Sequence, residues 1–260
     1  MNSNKVISVV NQKGGVGKTT TAVNLSTALV AIEKKVLLID LDPQGNLSTG
    51  LGFSSKDRKV TVYDLIMDKD FSIEDTIVKT QIPRLHIISS SINLSGIEFE
   101  LATEKEKNIK LYNKINNLSD EYDFIIIDCP PSLGILTVNA LAASNSVIVP
   151  LQCEFYALEG LAQLLRTIEA IKNNLNANLH LEGVILTMYD SRNRLSEDVI
   201  SDAREHLGDR VFKTIIPRNV KLSEAPSHGL PAILYDRKCS GSLAYIKLAK
   251  EFVSRQNINK

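Results

Sequence analysis

Hydrophobic positions along the chain fall into short β-branched runs that alternate with longer segments of helical periodicity. The runs predict strands at Val6–Val10, Val36–Ile39, Leu85–Ser89, Phe124–Ile127, Ser146–Val149, Leu181–Leu186 and Val211–Ile216. The segments between them predict helices at about Thr19–Glu33, Ser95–Leu118, Leu136–Ala143, Leu158–Asn173, Ser196–Leu207 and Ser242–Arg255. Several runs are continuously apolar, which is typical of strands that are covered on both faces.

This alternation predicts an α/β fold with a doubly wound, mostly parallel sheet and helices on both faces. No internal repeat, low-complexity tract or linker divides the chain. We therefore expect residues 1–260 to form a single domain, with the C-terminal helix at about 242–255 packed on it. In such sheets ligands bind beyond the carboxyl ends of the strands. The residues that directly follow each strand are thus the candidates for a functional site.

Composition and charge narrow the class of protein. Hydrophobic residues at 43% and charged residues at 23% are ordinary for a globular chain. Thirty basic residues balance thirty acidic ones, so polyanion binding needs a local patch. The three cysteines, Cys129, Cys153 and Cys239, lack metal-ligand spacing and are expected to be reduced. There is no signal-peptide layout and no apolar run approaching about 18 residues, so we expect a cytoplasmic protein.

A glycine-rich segment, NQKGGVGKTT at residues 11–20, follows the first predicted strand. A standard phosphate-binding loop reads GxxxxGK[ST], but Gln12 stands where its first glycine is expected. The remaining glycines still permit a backbone whose N–H groups surround an anion, at the positive end of the next helix. Lys18 can reach β- and γ-phosphates, and the Thr19 hydroxyl can hold Mg²⁺. A plain glycine-rich turn is the alternative, and the order strand, loop, GKTT, helix disfavours it.

The stretch KGGVGKTT resembles the deviant Walker A motif of the ParA/MinD ATPases, in which a second lysine precedes the usual one; Lys13 matches it. In that family two protomers enclose two ATP molecules, and this lysine crosses to the partner's nucleotide. The resemblance implies ATP and Mg²⁺ as cofactors, ATP hydrolysis as the activity, and a homodimer when ATP is bound. A cation supplied in trans stabilises charge that develops during phosphoryl transfer. The loop residues implied in nucleotide binding are Lys13, Gly14, Gly15, Val16, Gly17, Lys18, Thr19 and Thr20.

Three carboxylates follow predicted strands. Asp40 and Asp42 are two residues apart, so their side chains can point to the same side. The resemblance gives Asp42 the role of orienting the attacking water or organising the Mg²⁺ shell, with Asp40 as support. Asp128 ends the run DFIIID, a Walker B pattern that places a carboxylate near the Mg²⁺ waters. The catalytic residues implied are Lys13, Lys18 and Asp42, and the metal ligands implied are Thr19, Asp42 and Asp128, the aspartates through water.

The segment KTIIPRNVKLSEAPSHGLP is polar and rich in turn residues. It resembles the adenine-contacting segment of the family, in which Pro217 and Asn219 match the positions that pack on and hydrogen-bond the base, with Arg218 between them. The resemblance covers nearly the whole chain. The segments QCEFYALEG, TMYDSR and IPRNVKLSEAPS are similar to those of the chromosome-partitioning branch, the Soj-type ParA proteins.

The resemblance to that branch implies a DNA-segregation ATPase. Its ATP-bound dimer binds double-stranded DNA without sequence preference, and a DNA-bound ParB-like partner stimulates hydrolysis and releases it. Such binding needs a local cationic face. Arg192 and Lys221 match basic positions implied in DNA binding, although lysine replaces the commoner arginine at 221, and Arg218 and Arg194 lie in the same two loops. We expect Arg192, Arg218 and Lys221 to bind DNA, and the expected location is cytoplasmic and nucleoid-associated. Solvated loop charges are the alternative explanation for these residues.

Three other functions stay open at this point. A membrane-cycling ATPase like MinD would end in a basic amphipathic helix. The apolar stripe in SLAYIKLAKEFVSRQNINK more often packs on its own domain, so we expect no stable membrane anchor. A redox partner resembling the nitrogenase iron protein needs cluster-binding cysteines, and Cys129 and Cys153 lack that context. A small-molecule synthetase of the dethiobiotin or cobyrinate type is the third.

Overall fold

Seven strands pair into one sheet in the computed structural model of the protein, which describes residues 5–68, 70–116, 118, 121–154 and 156–258. The strands are β1 (Lys5–Val9), β2 (Val36–Asp40), β3 (Val78–Lys79), β4 (Leu85–Ile88), β5 (Phe124–Asp128), β6 (Ser146–Gln152) and β7 (His180–Thr187). Their order is β3-β4-β2-β5-β1-β6-β7. Every neighbouring pair is parallel except β3 and β4 at one edge. The predicted fold class, a single-domain, mostly parallel sheet, is confirmed.

Helices connect the strands and cover both faces of the sheet. They are α1 (Lys18–Val30), α2 (Asn46–Gly50), α3 (Val62–Met67), α4 (Ile97–Glu100), α5 (Lys110–Ile115), α6 (Ile135–Ala143), α7 (Ala157–Asn174), α8 (Arg194–Leu207), α9 (Val220–Glu224), α10 (Ala232–Tyr235) and α11 (Ser240–Ile258). Short 3₁₀ helices lie at Glu74–Thr76, Ile92–Gly96, Gly208–Arg210 and Ala225–His228.

The core is divided by the sheet into two layers because successive strand side chains point to opposite faces. In β5, Ile125 and Ile127 join the layer that contains α3, α5, α6 and α7. Phe124 and Ile126 join the opposite layer, which contains α1 and α11. A strand covered in this way reads as a continuous apolar run, which explains why β2 and β5 show no alternation.

The register of the central strands places the candidate site at their carboxyl ends. Asp40 of β2 lies opposite Asp128 of β5, and Asp128 lies opposite Val9, the last residue of β1. The loop that follows β1 therefore emerges beside two strand-end carboxylates. This is the arrangement that the rule on carboxyl ends of parallel strands predicts.

The prediction of a strand at Val211–Ile216 is wrong. This segment forms no continuous ladder with β7: an isolated bridge joins Val184 to Val211, and a second bridge joins Tyr189 to Pro217. The N–H groups of Phe212 and Ile216 also donate to β7 carbonyls. Between the two bridges, the backbone N–H groups of 213 and 214 donate to the carboxylate of Glu251 in α11 rather than to a strand. A side chain from a distant helix thus replaces the ladder that the apolar pattern suggested.

The prediction of one long helix at Ser95–Leu118 is also wrong, because the described residues there form the end of a 3₁₀ helix, then α4 and α5, separated by turns. Asn139 of α6 supplies the physical reason. Its side-chain amide donates to the Lys107 carbonyl at 2.7 Å and accepts from the Leu111 N–H at 3.2 Å. These two bonds satisfy backbone groups that a continuous helix would have paired internally.

Candidate nucleotide-binding site

The loop between β1 and α1 curls because two of its glycines adopt left-handed backbone angles. Gly15 has φ 75° and Gly17 has φ 90°, a region that residues with a side chain rarely occupy. Gly17 is also the N-cap of α1, so no cap side chain takes the first amides of that helix. The backbone amides and the positive end of α1 are therefore suited to bind an anion.

Both lysines of the loop contact groups of the same chain. Lys18 is buried, and its Nζ donates to the Lys13 carbonyl oxygen at 3.0 Å. Burial lowers the pKa of Lys18, and the nearby charges of Asp128 and Asp42 partly offset that effect. Lys13 is half-exposed, and its Nζ forms an ion pair with Glu154, which follows β6. The structure thus places Lys13 against its own chain, where the resemblance implied a contact with a partner.

Asp40 is fully buried, and Ser48 of α2 supports it. The Ser48 N–H and hydroxyl donate to the same Asp40 oxygen at 2.8 Å and 2.6 Å. Burial raises the pKa of Asp40 to about 6, although these hydrogen bonds act in the opposite direction. The Ser48 hydroxyl also accepts the N–H of Ser90, and the Ser90 hydroxyl donates to the Asp42 carbonyl. Asp40 and the backbone of Asp42 are therefore held in one network.

Asp128 is the group that most needs a ligand. It is 0% exposed, and neither carboxylate oxygen has a hydrogen-bond partner among the described residues. Burial and the Asp40 charge raise the pKa of Asp128 well above its ordinary value. The neighbouring Thr19 hydroxyl acts to lower that pKa, but its geometry does not make it a hydrogen-bond partner. Buried unpaired carboxylate oxygens beside a hydroxyl fit a hydrated Mg²⁺, which prefers oxygen ligands.

The segment after Asp42 borders the site and is held by hydrogen bonds from Arg58, which lies outside the site. The Arg58 guanidinium donates to the Gly45 carbonyl at 3.1 Å and to the Thr49 hydroxyl at 2.6 Å. Gly45 has φ 62°, and a side chain there would collide with Arg58. The Asp42 carboxylate accepts the N–H of Gln44 at 2.9 Å. These contacts hold Asp42 at the mouth of the site, with 8% of its surface exposed.

A cavity of about 620 Å³ opens over the loop, within the size range of small-molecule sites. Its lining includes the loop residues Gly14, Gly15, Gly17, Lys18, Thr19 and Thr20, together with Asp42. The lining also includes an apolar wall of Leu222, Pro226 and Leu230, and the apolar side chains of Val23, Pro131 and Met188. A cavity that combines a phosphate-binding type of loop with apolar side chains suits the phosphates and the base of a nucleotide. Val16 lies behind this surface, buried, with its carbonyl accepting the Thr187 hydroxyl at 2.9 Å.

The predicted adenine residues lie next to this cavity without being among the described residues that line it. Pro217 pairs with Tyr189, and the Arg218 N–H donates to the Tyr189 carbonyl at 2.8 Å. The Asn219 side chain caps α9 by accepting the Lys221 N–H at 2.9 Å, and it donates to Ser240. The three residues directly precede α9, whose Leu222 forms part of the apolar wall.

Sequence reasoning missed several residues that the structure brings to the site. Ser90 and Glu154 directly follow β4 and β6, so the rule on strand ends would have identified both. Arg58 left no such signal because it reaches the segment after Asp42 from a loop outside the site. The apolar wall from Leu222 to Leu230 was concealed in a polar, turn-rich segment.

Comparisons with known proteins agree with this geometry. An "AAA domain" family model matches residues 4–181. A chromosome partitioning protein ParA from Caulobacter vibrioides is 53% identical over 254 residues, covering 97% of this chain and 95% of the relative. The sporulation initiation inhibitor protein Soj of Bacillus subtilis is 51% identical over 247 residues, covering 95% and 97%.

A crystal structure of similar fold carries ligands. It is described as cobyrinic acid a,c-diamide synthase from Mycobacterium smegmatis with a bound ATP analog and magnesium. It superposes with a TM-score of 0.88 at 36% identity, covering 99% of this chain and 97% of that one.

Proposed function

The chain belongs to the ParA/MinD superfamily of P-loop ATPases, with Soj/ParA chromosome-partitioning proteins among its relatives, and from that premise we propose that it is an ATP-dependent DNA-segregation ATPase. It hydrolyses ATP to ADP and phosphate, and the hydrolysis switches its binding to DNA. The observation that carries the proposal is the buried, unpaired carboxylate of Asp128 beside Lys18 and the glycine loop. A fold gains nothing from such a carboxylate unless a cation binds it.

The loop residues Gly14 to Thr20 bind the phosphates of ATP through their amides. Lys18 leaves the Lys13 carbonyl and contacts the β- and γ-phosphates. Thr19 would hold Mg²⁺ through its hydroxyl, and Asp42 and Asp128 would hold it through water. When bound, the metal would supply positive charge that offsets the charge of the phosphates. Asp42 orients the attacking water, and the Ser48–Ser90 network keeps Asp40 and the Asp42 backbone in place.

The base of ATP lies against the apolar wall of the cavity, formed by Leu222, Pro226 and Leu230. Pro217 packs on the adenine and Asn219 hydrogen-bonds it, with Arg218 adding backbone contacts. The Asn219 amide donates to Ser240 at 2.8 Å, so it has to exchange this partner for the base. Such a movement is small because Asn219 already stands at the start of α9, beside the wall of the cavity.

Lys13 couples ATP to a homodimer. It leaves Glu154 and crosses to the partner's nucleotide, where a cation stabilises the charge that develops on the transferred phosphoryl group. The Lys13–Glu154 pair does not prevent this step, since exposed ion pairs contribute at most about 1 kcal/mol. The dimer therefore forms when ATP is bound, because Lys13 interacts more strongly with the phosphates of the partner's nucleotide than with the Glu154 carboxylate.

The ATP dimer presents two copies of a cationic face made by Arg192, Arg218 and Lys221. Each phosphate contact adds about −0.9 to the slope of the logarithm of the DNA-binding constant against the logarithm of the salt concentration. A dimer with two faces should therefore show twice the slope of a single protomer. Weak protomer binding becomes useful dimer binding by avidity. A ParB-like partner accelerates hydrolysis and returns the dimer to weakly binding protomers, which keeps the protein associated with the nucleoid only while ATP is bound.

The competing functions receive less support. No described helix is both long enough and apolar enough to span a bilayer. The α11 side chains of Tyr245, Leu248 and Phe252 are buried in the domain rather than presented to a membrane surface. The synthetase alternative has a structural relative of that name at 36% identity, below the 53% and 51% of the partition proteins.

DNA binding tests the proposal. Binding to an arbitrary duplex would be measured with ATP, with ADP and without nucleotide, at two salt concentrations. We expect binding that requires ATP, weakens with salt and ignores sequence. Arg192→Ala should weaken it, and Arg166→Ala, which removes an exposed arginine from α7, should not. Absence of DNA binding in every nucleotide state would contradict the proposal and favour a membrane, protein or small-molecule target.

A further inference from the structure

Two loops that carry the predicted DNA-binding residues are joined at their bases. The Tyr189 N–H donates to the Ile216 carbonyl at 3.1 Å, and the Arg218 N–H donates to the Tyr189 carbonyl at 2.8 Å. The segment after β7, with Asp190 and Arg192, therefore lies beside the segment that leads into α9. The cations implied in DNA binding share one end of the molecule, although about 25 residues of chain separate them.

Arg192 is already paired in the way in which it would contact a phosphate. Its side chain is 87% exposed, yet its Nε and Nη2 donate to the two Asp190 oxygens at 2.9 Å and 2.7 Å. The Asp190 carboxylate also accepts the Arg192 backbone N–H at 3.1 Å. Guanidinium binds carboxylate and phosphate with the same two-pronged geometry. A DNA phosphate therefore has to displace the Asp190 carboxylate before it can accept hydrogen bonds from Arg192 Nε and Nη2.

Asp190 faces two cations. Hydrogen bonds from Arg192, and then the charge of Arg218, hold the pKa of Asp190 well below its usual range. The carboxylate is thus ionised whenever the protein is folded and active, and its negative charge lies within the face that should attract DNA.

Lys221 repeats the arrangement on α9. Its Nζ is 2.9 Å from a Glu224 oxygen, which also accepts the Tyr235 hydroxyl at 3.3 Å. The ammonium group lies 5.5 Å from the centre of the Tyr235 ring. Glu224 and Tyr235 together hold Lys221 against the body of the protein. Two of the three predicted DNA contacts therefore carry a carboxylate partner from within the chain.

We propose that Asp190 and Glu224 are built-in competitors of DNA phosphate, which limit the affinity of each protomer for DNA. The inference rests on the proposed function and names how that DNA face is regulated. Exposed ion pairs of this kind are weak, so each carboxylate reduces affinity by about two- to five-fold. The reduction keeps a single protomer, such as hydrolysis leaves behind, from staying on DNA, while the paired faces of the dimer still bind.

Neutral, near-isosteric variants test the proposal. Asp190→Asn and Glu224→Gln keep a side-chain oxygen for the local N–H and hydroxyl donors but remove the charge. Asp75→Asn is the matched control, because it makes the same charge change at an exposed position before β3, at the opposite edge of the sheet. DNA affinity would be measured with a non-hydrolysable ATP analogue at two salt concentrations.

We expect Asp190→Asn and Glu224→Gln each to bind DNA about two- to five-fold more tightly than the wild type, with Asp75→Asn unchanged. The gain should shrink at high salt, because salt screens the ion pair that the variant removes. The gain of Asp190→Asn should also shrink when Arg192→Ala is present, because the Asp190 carboxylate then has no guanidinium to withhold from DNA.

Three outcomes would overturn the inference while leaving the proposed function intact. One is a wild type that binds DNA with ATP while Asp190→Asn gains no more than Asp75→Asn. Another is an Asp190→Asn variant that binds less tightly, which would mean that Asp190 presents Arg192 to DNA. The third is a gain that is undiminished by Arg192→Ala, which would indicate simple repulsion. A wild type that binds no DNA would overturn both proposals.

Discussion

The Nζ atom of Lys18 donates a hydrogen bond to the carbonyl oxygen of Lys13, 3.0 Å away. Lys13 in turn forms an ion pair with Glu154 at the end of β6. Lys13 and Lys18 are therefore linked to each other, and the side chain of each contacts an acceptor of the same chain. In the proposed function a bound phosphate takes Lys18 from the Lys13 carbonyl, which removes one contact from the backbone at Lys13.

Lys18→Ala should abolish ATP-dependent dimer formation. The variant loses a charge-assisted contact to phosphate, worth about 1.5–3 kcal/mol, so ATP affinity should fall by roughly 10- to 150-fold. Calorimetric titration with ATP and light scattering with and without ATP would measure the two effects. Lys34→Ala, which breaks the exposed ion pair with Asp123, is the control and should behave like the wild type. An ATP-induced dimer that survives Lys18→Ala would contradict the site.

Lys13→Ala should separate nucleotide binding from dimer formation. Its Nζ contacts Glu154 and not the cavity lining, so each protomer should bind ATP within about three-fold of the wild type. Because the contact with the partner's nucleotide is lost, ATP should no longer produce a dimer. The same titration and light scattering apply, again with Lys34→Ala as the control. If Lys13→Ala formed the ATP dimer normally, the lysine would have no role across the interface.

Six of the seven strands and the phosphate loop could be predicted because their signals are local, whereas β3 (Val78–Lys79) consists of two exposed residues and was missed. A strand buried on both faces needs an unbroken apolar run, as β2 and β5 show, and the loop needs glycine where φ is positive. The strand-end position of Asp128 follows from the same reasoning. None of these inferences requires knowledge of what distant segments do.

The supporting contacts could not be predicted, since they join segments far apart in the chain. Ser90 reaches Ser48 and Asp42 across more than 40 residues, and Lys13 finds Glu154 after 141. The error at Val211–Ile216 has the same origin, because Glu251 accepts backbone N–H groups that an apolar run would otherwise give to a strand. A hydrogen bond between two remote positions leaves no periodicity in either segment.

Glu251→Gln should destabilise the protein through this long-range contact. The Glu251 carboxylate accepts from the N–H groups of Lys213 and Thr214, from the Thr214 hydroxyl and from Arg255, at 2.7–2.8 Å. An amide nitrogen would face these donors without accepting from them, so the free energy of unfolding should fall by about 1–3 kcal/mol. Chemical denaturation at pH 7 would measure it, with Glu205→Gln on the exposed surface of α8 as the control.

The effect of Glu251→Gln should depend on pH. Burial acts to raise the pKa of Glu251, but the hydrogen bonds from Thr214, Lys213 and Arg255 outweigh it and hold the pKa below the ordinary 4.5. A carboxylate whose pKa is lower in the folded state stabilises the fold above its unfolded pKa and loses that stabilisation as pH falls through the folded value. The difference between wild type and variant should thus be full at pH 7 and shrink below about pH 4.5. A difference that is constant with pH would show that the charge of Glu251 is not what the fold uses.

Asp42→Ala should stall the cycle after DNA binding. The Asp42 backbone is held by Ser90 independently of its side chain, so the loop and the ATP affinity should be preserved. Removal of the carboxylate leaves the attacking water unoriented, and turnover should fall by about 10²-fold or more. ATP hydrolysis and the lifetime of the DNA-bound dimer would be measured together, with Asp75→Ala as the exposed control. A long-lived dimer on DNA is the expected result, because the variant binds ATP but does not hydrolyse it. Normal turnover would show that Asp42 has no part in hydrolysis. Loss of ATP binding would show that Asp42 acts in nucleotide binding alone.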